Sequence, residues 1–155
     1  ELPASALGKE AGSKIRLGVG QCELWRLPRY SDLRGHLVPI EFARDLPFVP
    51  QRTFLVFNVP SNKVRGEHAH HACHQFLVAV HGSLAVVVDD GASRHEVRLD
   101  DPSVGLYLPP LVWGIQYKFE PGAVLLVNAS HPYDSADYIR DYDEFREIVN
   151  GSTEA

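Results

Sequence analysis

The chain has 155 residues, 45% of them apolar, and a formal net charge of −5. That is enough for one domain with a substantial core, and the wrong sign for a protein whose main partner is a nucleic-acid backbone. No run of about 18 apolar residues argues for a membrane span, and two cysteines, Cys22 and Cys73, are too few for a disulfide framework, so a cytoplasmic location is expected.

The opening ELPASALGKEAGSK is polar and does not read as a signal peptide. Residues 1–20 are expected to be a disordered segment, and 21–150 a single domain. CELWRLPRY (22–30) reads as an N-terminal strand whose exposed edge could pair with a twin chain. Short strands between turn signals then follow: RTFLVFNVP (52–60), HQFLVAVHG (74–82), SLAVVVDDG (83–91), EVRLD (96–100), VGLYLP (104–109), VWGIQYKFE (112–120) and AVLLVNAS (123–130). Asp89-Asp90-Gly91 is a hairpin turn signal. Strands spaced this regularly predict an all-β sandwich, jelly roll or barrel. In DYDEFREIV (141–149) the period changes. Tyr142, Phe145 and Val149 recur at helical spacing, and Asp141 with Glu144 resembles a capping box, so a short C-terminal helix is expected.

RGEHAHHACHQ (65–75) holds four of the eight histidines. Side chains alternate along a strand, so His68 and His70 share a face and Ala69 looks the other way. In a small barrel the inward face is a ready-made pocket. Three readings are open for the pair: metal ligands, satisfied core residues, or proton carriers. Histidine titrates near neutral pH, and two imidazoles on one rigid strand suit removal of a proton beside a carbonyl and its return elsewhere.

Gly66-x-His68-x-His70-x4-Gln75-x6-Gly82 resembles the first cupin motif, in which two His and a Glu bind a metal. Gln75 stands at the Glu, and PPLVWG (109–114) puts Gly114 where a later His ligand belongs. The four-ligand site is therefore dismantled. A three-His set of His68, His70 and His74 is the remaining metal alternative.

The similarity extends further. DLRGHLVPIEF (32–42), DLPFVPQR (45–52), VRGEHAH (64–70), QFLVAVHGS (75–83), GLYLPPLVW (105–113) and ASHPYDSADYIRDYDEF (129–145) resemble the sugar-nucleotide 3,4-ketoisomerases, the WxcM-like branch of the cupins. The resemblance spans about residues 25–147. It implies an RmlC-like jelly-roll barrel, a homodimer, no metal or other cofactor, and a dTDP-linked substrate whose ketone moves from C4 to C3 through an enediol or enediolate. It implies catalytic roles for His68 and His70.

Arg52 and Arg65 are then expected at the diphosphate or the enolate oxygen. Gln75, Tyr107 and Arg34 are expected to contact substrate, with Tyr138 and Tyr142 fastening the C-terminal segment. Phe54 and Leu55 replace tyrosines frequent in relatives, which bears on the stereochemistry at C4. A 3,5-epimerase-like deoxysugar enzyme and a non-catalytic sugar-nucleotide-binding domain are the competing functions.

Overall fold

Short β-branched and apolar runs, interrupted by Gly, Asp and Pro, build the strands; the central ones, such as QFLVAVH (75–81) and LAVVVD (84–89), are buried along nearly their whole length. In the computed structural model, which describes residues 6–151, these strands form two sheets and a separate hairpin. They are β1 Lys14–Arg16, β2 Glu23–Arg26, β3 Tyr30–Asp32, β4 Gly35–Leu37, β5 Arg52–Phe57, β6 Arg65–His70, β7 Gln75–His81, β8 Leu84–Asp89, β9 Arg94–Leu99, β10 Val104–Leu108, β11 Trp113–Tyr117, β12 Val124–Ala129 and β13 Tyr138–Ile139. Two helices, α1 Phe42–Asp45 and α2 Tyr142–Gly151, complete the elements used below.

The larger sheet has the order β1-β2-β10-β7-β12-β5, the smaller β13-β6-β11-β8-β9, and β3-β4 is the hairpin. All pairings are antiparallel. The fold is a cupin jelly-roll barrel with a short C-terminal helix, as the strand spacing and the resemblance led one to expect. Leu77, Leu106, Leu125 and Val127 of the larger sheet and Val86, Val88, Val97 and Leu99 of the smaller belong to one buried core. Each such side chain, fully buried, contributes about 1.5–3 kcal/mol of transfer free energy.

Local chemistry explains the boundaries. The β8–β9 turn is closed by Asp89 Oδ1 accepting from the Gly91 amide at 2.7 Å and Asp90 Oδ1 accepting from Ser93 at 2.7 Å. Gly91 takes φ +93° there, a conformation open to glycine. The Asp141 carboxylate accepts from the Glu144 amide at 2.9 Å and so starts α2. Phe145 is fully buried against Ala69, Trp113 and Ile139, and Tyr142 donates to Asp89 Oδ2 at 2.6 Å. The helix thus closes the outer face of the smaller sheet, behind β6.

Two expectations change. The segment expected to be disordered is ordered from residue 6: β1 pairs with β2, and Leu7, Leu17 and Val19 are buried in the core. Short apolar residues scattered among Gly and Ser hid this. Residues 1–5 of that expectation lie outside the described residues. Likewise CELWRLPRY does not present an edge, because β2 is flanked by β1 and β10.

Candidate active site

β6 reaches the barrel mouth with a bulge. Gly114 of β11 faces His68 and Ile115 faces Gly66, so Glu67 is the extra residue. Glu67 has φ 56° and Gly66 φ 82°, and a Cβ on Gly66 would lie 3.1 Å from the Gly114 carbonyl oxygen. Gly66 is therefore the residue that lets the bulge form, and the bulge re-aims the chain just before His68. Beyond it alternation resumes. Ala69 is buried toward α2, while His68 and His70 meet edge to face with ring centroids 4.9 Å apart.

The two imidazoles are held from behind by acceptors. His70 Nδ1–H donates to Asp137 Oδ2 at 2.9 Å, and His68 Nδ1–H donates to the Gly66 carbonyl at 3.0 Å. A carbonyl and a carboxylate only accept, so both neutral rings carry their proton on Nδ1 and keep a lone pair on Nε2. Asp137 ends a short 3-10 turn, Ser135–Asp137, and also accepts from the amides of Ala72 at 2.8 Å and Cys73 at 3.3 Å. Burial works against its charge, but the Ala72 amide and His70 hold its carboxyl below the usual range.

Burial pushes His70 down to about 4, against the pull of Asp137 and with the charges of His68 and Arg52 adding to the effect. His68 is lowered by burial, opposed by the Gly66 carbonyl and reinforced by Arg140 and Arg52. Both rings are therefore neutral at pH 7. Among the described residues, His70 Nε2 and Arg52 Nε are buried without a hydrogen-bond partner. Such orphaned polar atoms are rare in a folded chain unless a ligand or chemistry uses them.

A cavity of about 340 Å³ is lined by Phe54, Arg65, His68, Gln75, Gln116, Tyr138 and Arg140 among others; His70 and Arg52 lie behind these residues and are not part of its lining. Arg65 and Gln75 thus line the same cavity as His68. Arg52 acts on both histidines through its charge. Tyr107 and Arg34 do not line the cavity within this chain. Tyr107 lies on the outer face of the larger sheet with Trp25 and Phe76, its hydroxyl 2.7 Å from His74 Nδ1. Register explains this: Tyr107 is paired with Phe76 and Leu108 with Gln75, so Tyr107 and Gln75 face opposite ways. Arg34 sits at the tip of the β3–β4 hairpin, ion-paired to Asp32 at 2.7 Å, and does not line the cavity.

Three residues at the site were missed or misread. Asp137 and Arg140 carried no local motif. Tyr138 does more than fasten the C-terminal segment, since its ring lies 4.8 Å from His68 and 4.4 Å from His70, with Arg140 4.2 Å above it. All three come from β13 and its approach, which pairs with β6 across more than sixty residues of chain. Their only signal was the family-like stretch SADYIRD.

The donor set does not fit a cupin metal. Gln75 and Gly114 supply no anionic or imidazole ligand, and His74 turns to Tyr107 on the outer face rather than toward His68. The three-His alternative therefore falls on geometry.

Comparison with known proteins gives the same picture. The model of the family described as WxcM-like, C-terminal (FdtA) matches residues 20–150. The TDP-4-oxo-6-deoxy-alpha-D-glucose-3,4-oxoisomerase of Aneurinibacillus thermoaerophilus is 42% identical over 118 residues, 76% of this chain and 85% of that protein. A histidine-to-asparagine variant of the 3,4-ketoisomerase QdtA from Thermoanaerobacterium thermosaccharolyticum, solved with TDP-4-keto-6-deoxyglucose, superposes with a TM-score of 0.84 at 37% identity, covering 86% of this chain and 96% of that one. The WlaRB TDP-quinovose 3,4-ketoisomerase of Campylobacter jejuni gives 0.80 at 36% identity, over 83% and 99%. The chain belongs to this family, the WxcM-like sugar-nucleotide 3,4-ketoisomerases.

Proposed function

We propose that the protein moves the ketone of dTDP-4-keto-6-deoxyglucose from C4 to C3, using His68 and His70 as the proton carriers and no metal. The observation that carries this is the paired tautomer: both rings have Nδ1–H committed to an acceptor, so both present Nε2 as a base. One imidazole takes the C3 proton; the C3–H electron pair becomes the C3=C4 bond and the C4 oxygen becomes an enolate oxygen. That oxygen is protonated, the C3 hydroxyl gives up its proton, C3 becomes the ketone, and C4 receives a proton. The two rings handle the carbon-bound and oxygen-bound protons between them. Asp137 stabilises an imidazolium on His70, and Arg52 offers fixed positive charge to the enolate oxygen. Arg65 and Arg140 at the mouth suit the diphosphate. The TDP-sugar complex of the QdtA variant supports a dTDP-linked substrate.

The proposal includes a homodimer acting in the cytoplasm. The β3–β4 hairpin belongs to neither large sheet and exposes Tyr30, Leu33 and Leu37, while Leu55 and Phe57 are exposed on the edge strand β5. Apolar surface of this kind marks a contact face. Arg34, at the hairpin tip, enters a substrate site only if a second copy accepts the hairpin. The two free, buried thiols suit a reducing compartment.

The test is an NMR time course in D₂O of the protein with dTDP-4-keto-6-deoxyglucose, beside His68→Asn and His70→Asn. A 3-keto product carrying deuterium at C4, absent with either variant, is expected. No conversion by the folded wild type would overturn the assignment for this substrate.

A further inference from the structure

Behind the catalytic face of His70 lies a second chemical feature. His70, Cys73 and Asp137 each offer a ligand atom, and the three atoms lie within 4.8 Å of one another. His70 and Cys73 are 4% and 2% exposed. One imidazole nitrogen, one thiol and one carboxylate form the donor set of an open zinc site: three protein ligands with the fourth position free for water. Ligand atoms around tetrahedral zinc sit about 3.5 Å apart for bonds of about 2.0–2.3 Å, so the cluster needs to contract by roughly 1 Å. The His70 Nδ1–H to Asp137 hydrogen bond is the contact that a cation would replace. A separate cavity of about 310 Å³ is lined by Asp137, Ala72, Asp134 and His131 among others, and shares no lining residue with the histidine pocket. It is an approach to Asp137 that does not pass the substrate.

We propose that His70 Nδ1, Cys73 Sγ and the Asp137 carboxylate form an inhibitory site for a thiophilic divalent cation of the zinc type. The cation takes the place now held by the Nδ1 proton. Cys73 loses its thiol proton to solvent on binding, and the Nδ1 proton leaves while Nε2 gains one from water. One proton is released overall, and the 2+ cation is balanced by a thiolate and a carboxylate. The consequence is a change of tautomer. An imidazole coordinated through Nδ1 carries its proton on Nε2, the nitrogen that the proposed mechanism uses, and so stops being a base. Inhibition therefore needs no cation in the substrate cavity. It rests on the reading of His70 as a proton carrier; cation binding does not.

The site is tested with Co²⁺ and Zn²⁺ on the full chain. Cobalt should produce a thiolate-to-cobalt charge-transfer band at one equivalent in the wild type and none in Cys73→Ala. Cys22, the other thiol, lies in the barrel core away from this cluster. Zinc should abolish turnover in the wild type, reversibly with chelator. Cys73→Ala should keep its basal turnover and need at least ~10-fold more zinc for half inhibition, the least expected for losing a ligand outright. No thiolate band in the wild type at saturating cobalt, or a band that persists in Cys73→Ala, would overturn the site. Equal zinc sensitivity of the two proteins would overturn the inhibitory role. The cobalt arm needs no substrate, so it stands apart from any failure of the assigned reaction.

Discussion

At the level of single residues, Asp137 sets the tautomer of His70. Its carboxylate accepts from His70 Nδ1 and thereby leaves Nε2 free to act. Asp137→Asn can present an amide N–H to that nitrogen, move the ring proton to Nε2 and remove the charge that stabilises the imidazolium. The expected loss in kcat is about 10²–10⁴-fold, with the fold retained; an unchanged kcat would remove Asp137 from the mechanism. The pH profile follows from burial. A base must be deprotonated to work, and burial lowers both rings, His70 to about 4 and His68 below its ordinary value, so activity persists on the acid side below the ordinary histidine range. The acid limb of kcat/KM should lie well below the ~6.5 of an unperturbed histidine. A limb at 6.5 would show that His70 is not the titrating base.

The strands and the helix owe their positions to contacts that can be tested singly. Gly105 on β10 faces the Phe76 ring so closely that a Cβ would meet ring atoms at 1.9 and 2.1 Å. Phe76 is fully buried among Trp25, Val78 and Tyr107 and lies next in chain to Gln75. Gly105→Ala therefore forces the ring off its rotamer and should cost about 1–3 kcal/mol, read as a lower midpoint in urea with an unchanged m-value. Because Phe76 and Gln75 are consecutive on β7, KM should rise as well. A stability equal to wild type would mean that the ring has room to move. The β6 bulge works similarly: Gly66 with its positive φ is what allows Glu67 to be inserted, and without it His68 would fall on the wrong face.

For the whole molecule, the question is what covers the exposed apolar residues. Leu33 is fully exposed and Leu37 is 60% exposed, so neither supports the core of its own chain. Sedimentation equilibrium should give the mass of a dimer for the wild type. Leu33→Glu combined with Leu37→Glu should shift it to a monomer without lowering the monomer's own packing. If the hairpin carries Arg34 to a neighbour's site, turnover should fall with the dimer. A wild type that sediments as a monomer at assay concentrations would overturn the proposed assembly.

Much of this protein was legible from local pattern. Short β-branched and apolar runs between Asp-Gly and Pro-Gly punctuation located β5 and β7 to β12 within a few residues, and the Tyr142/Phe145/Val149 spacing located α2, because these signals arise from contacts close in sequence. The shared face of His68 and His70 followed from strand geometry alone. By contrast, Asp137, Tyr138 and Arg140 reach the histidines only because β13 pairs with β6, and Tyr107 leaves the pocket only because its register partner is Phe76. Burial of Leu7 and the enclosure of β2 between two strands also depend on partners distant in the chain. The sequence by itself determined an all-β fold with a C-terminal helix and the shared face of His68 and His70. Tertiary structure alone decided which carboxylate orients His70 and which aromatic residue packs on the histidine pair, because register and long-range pairing are properties of the assembled sheets rather than of any one segment.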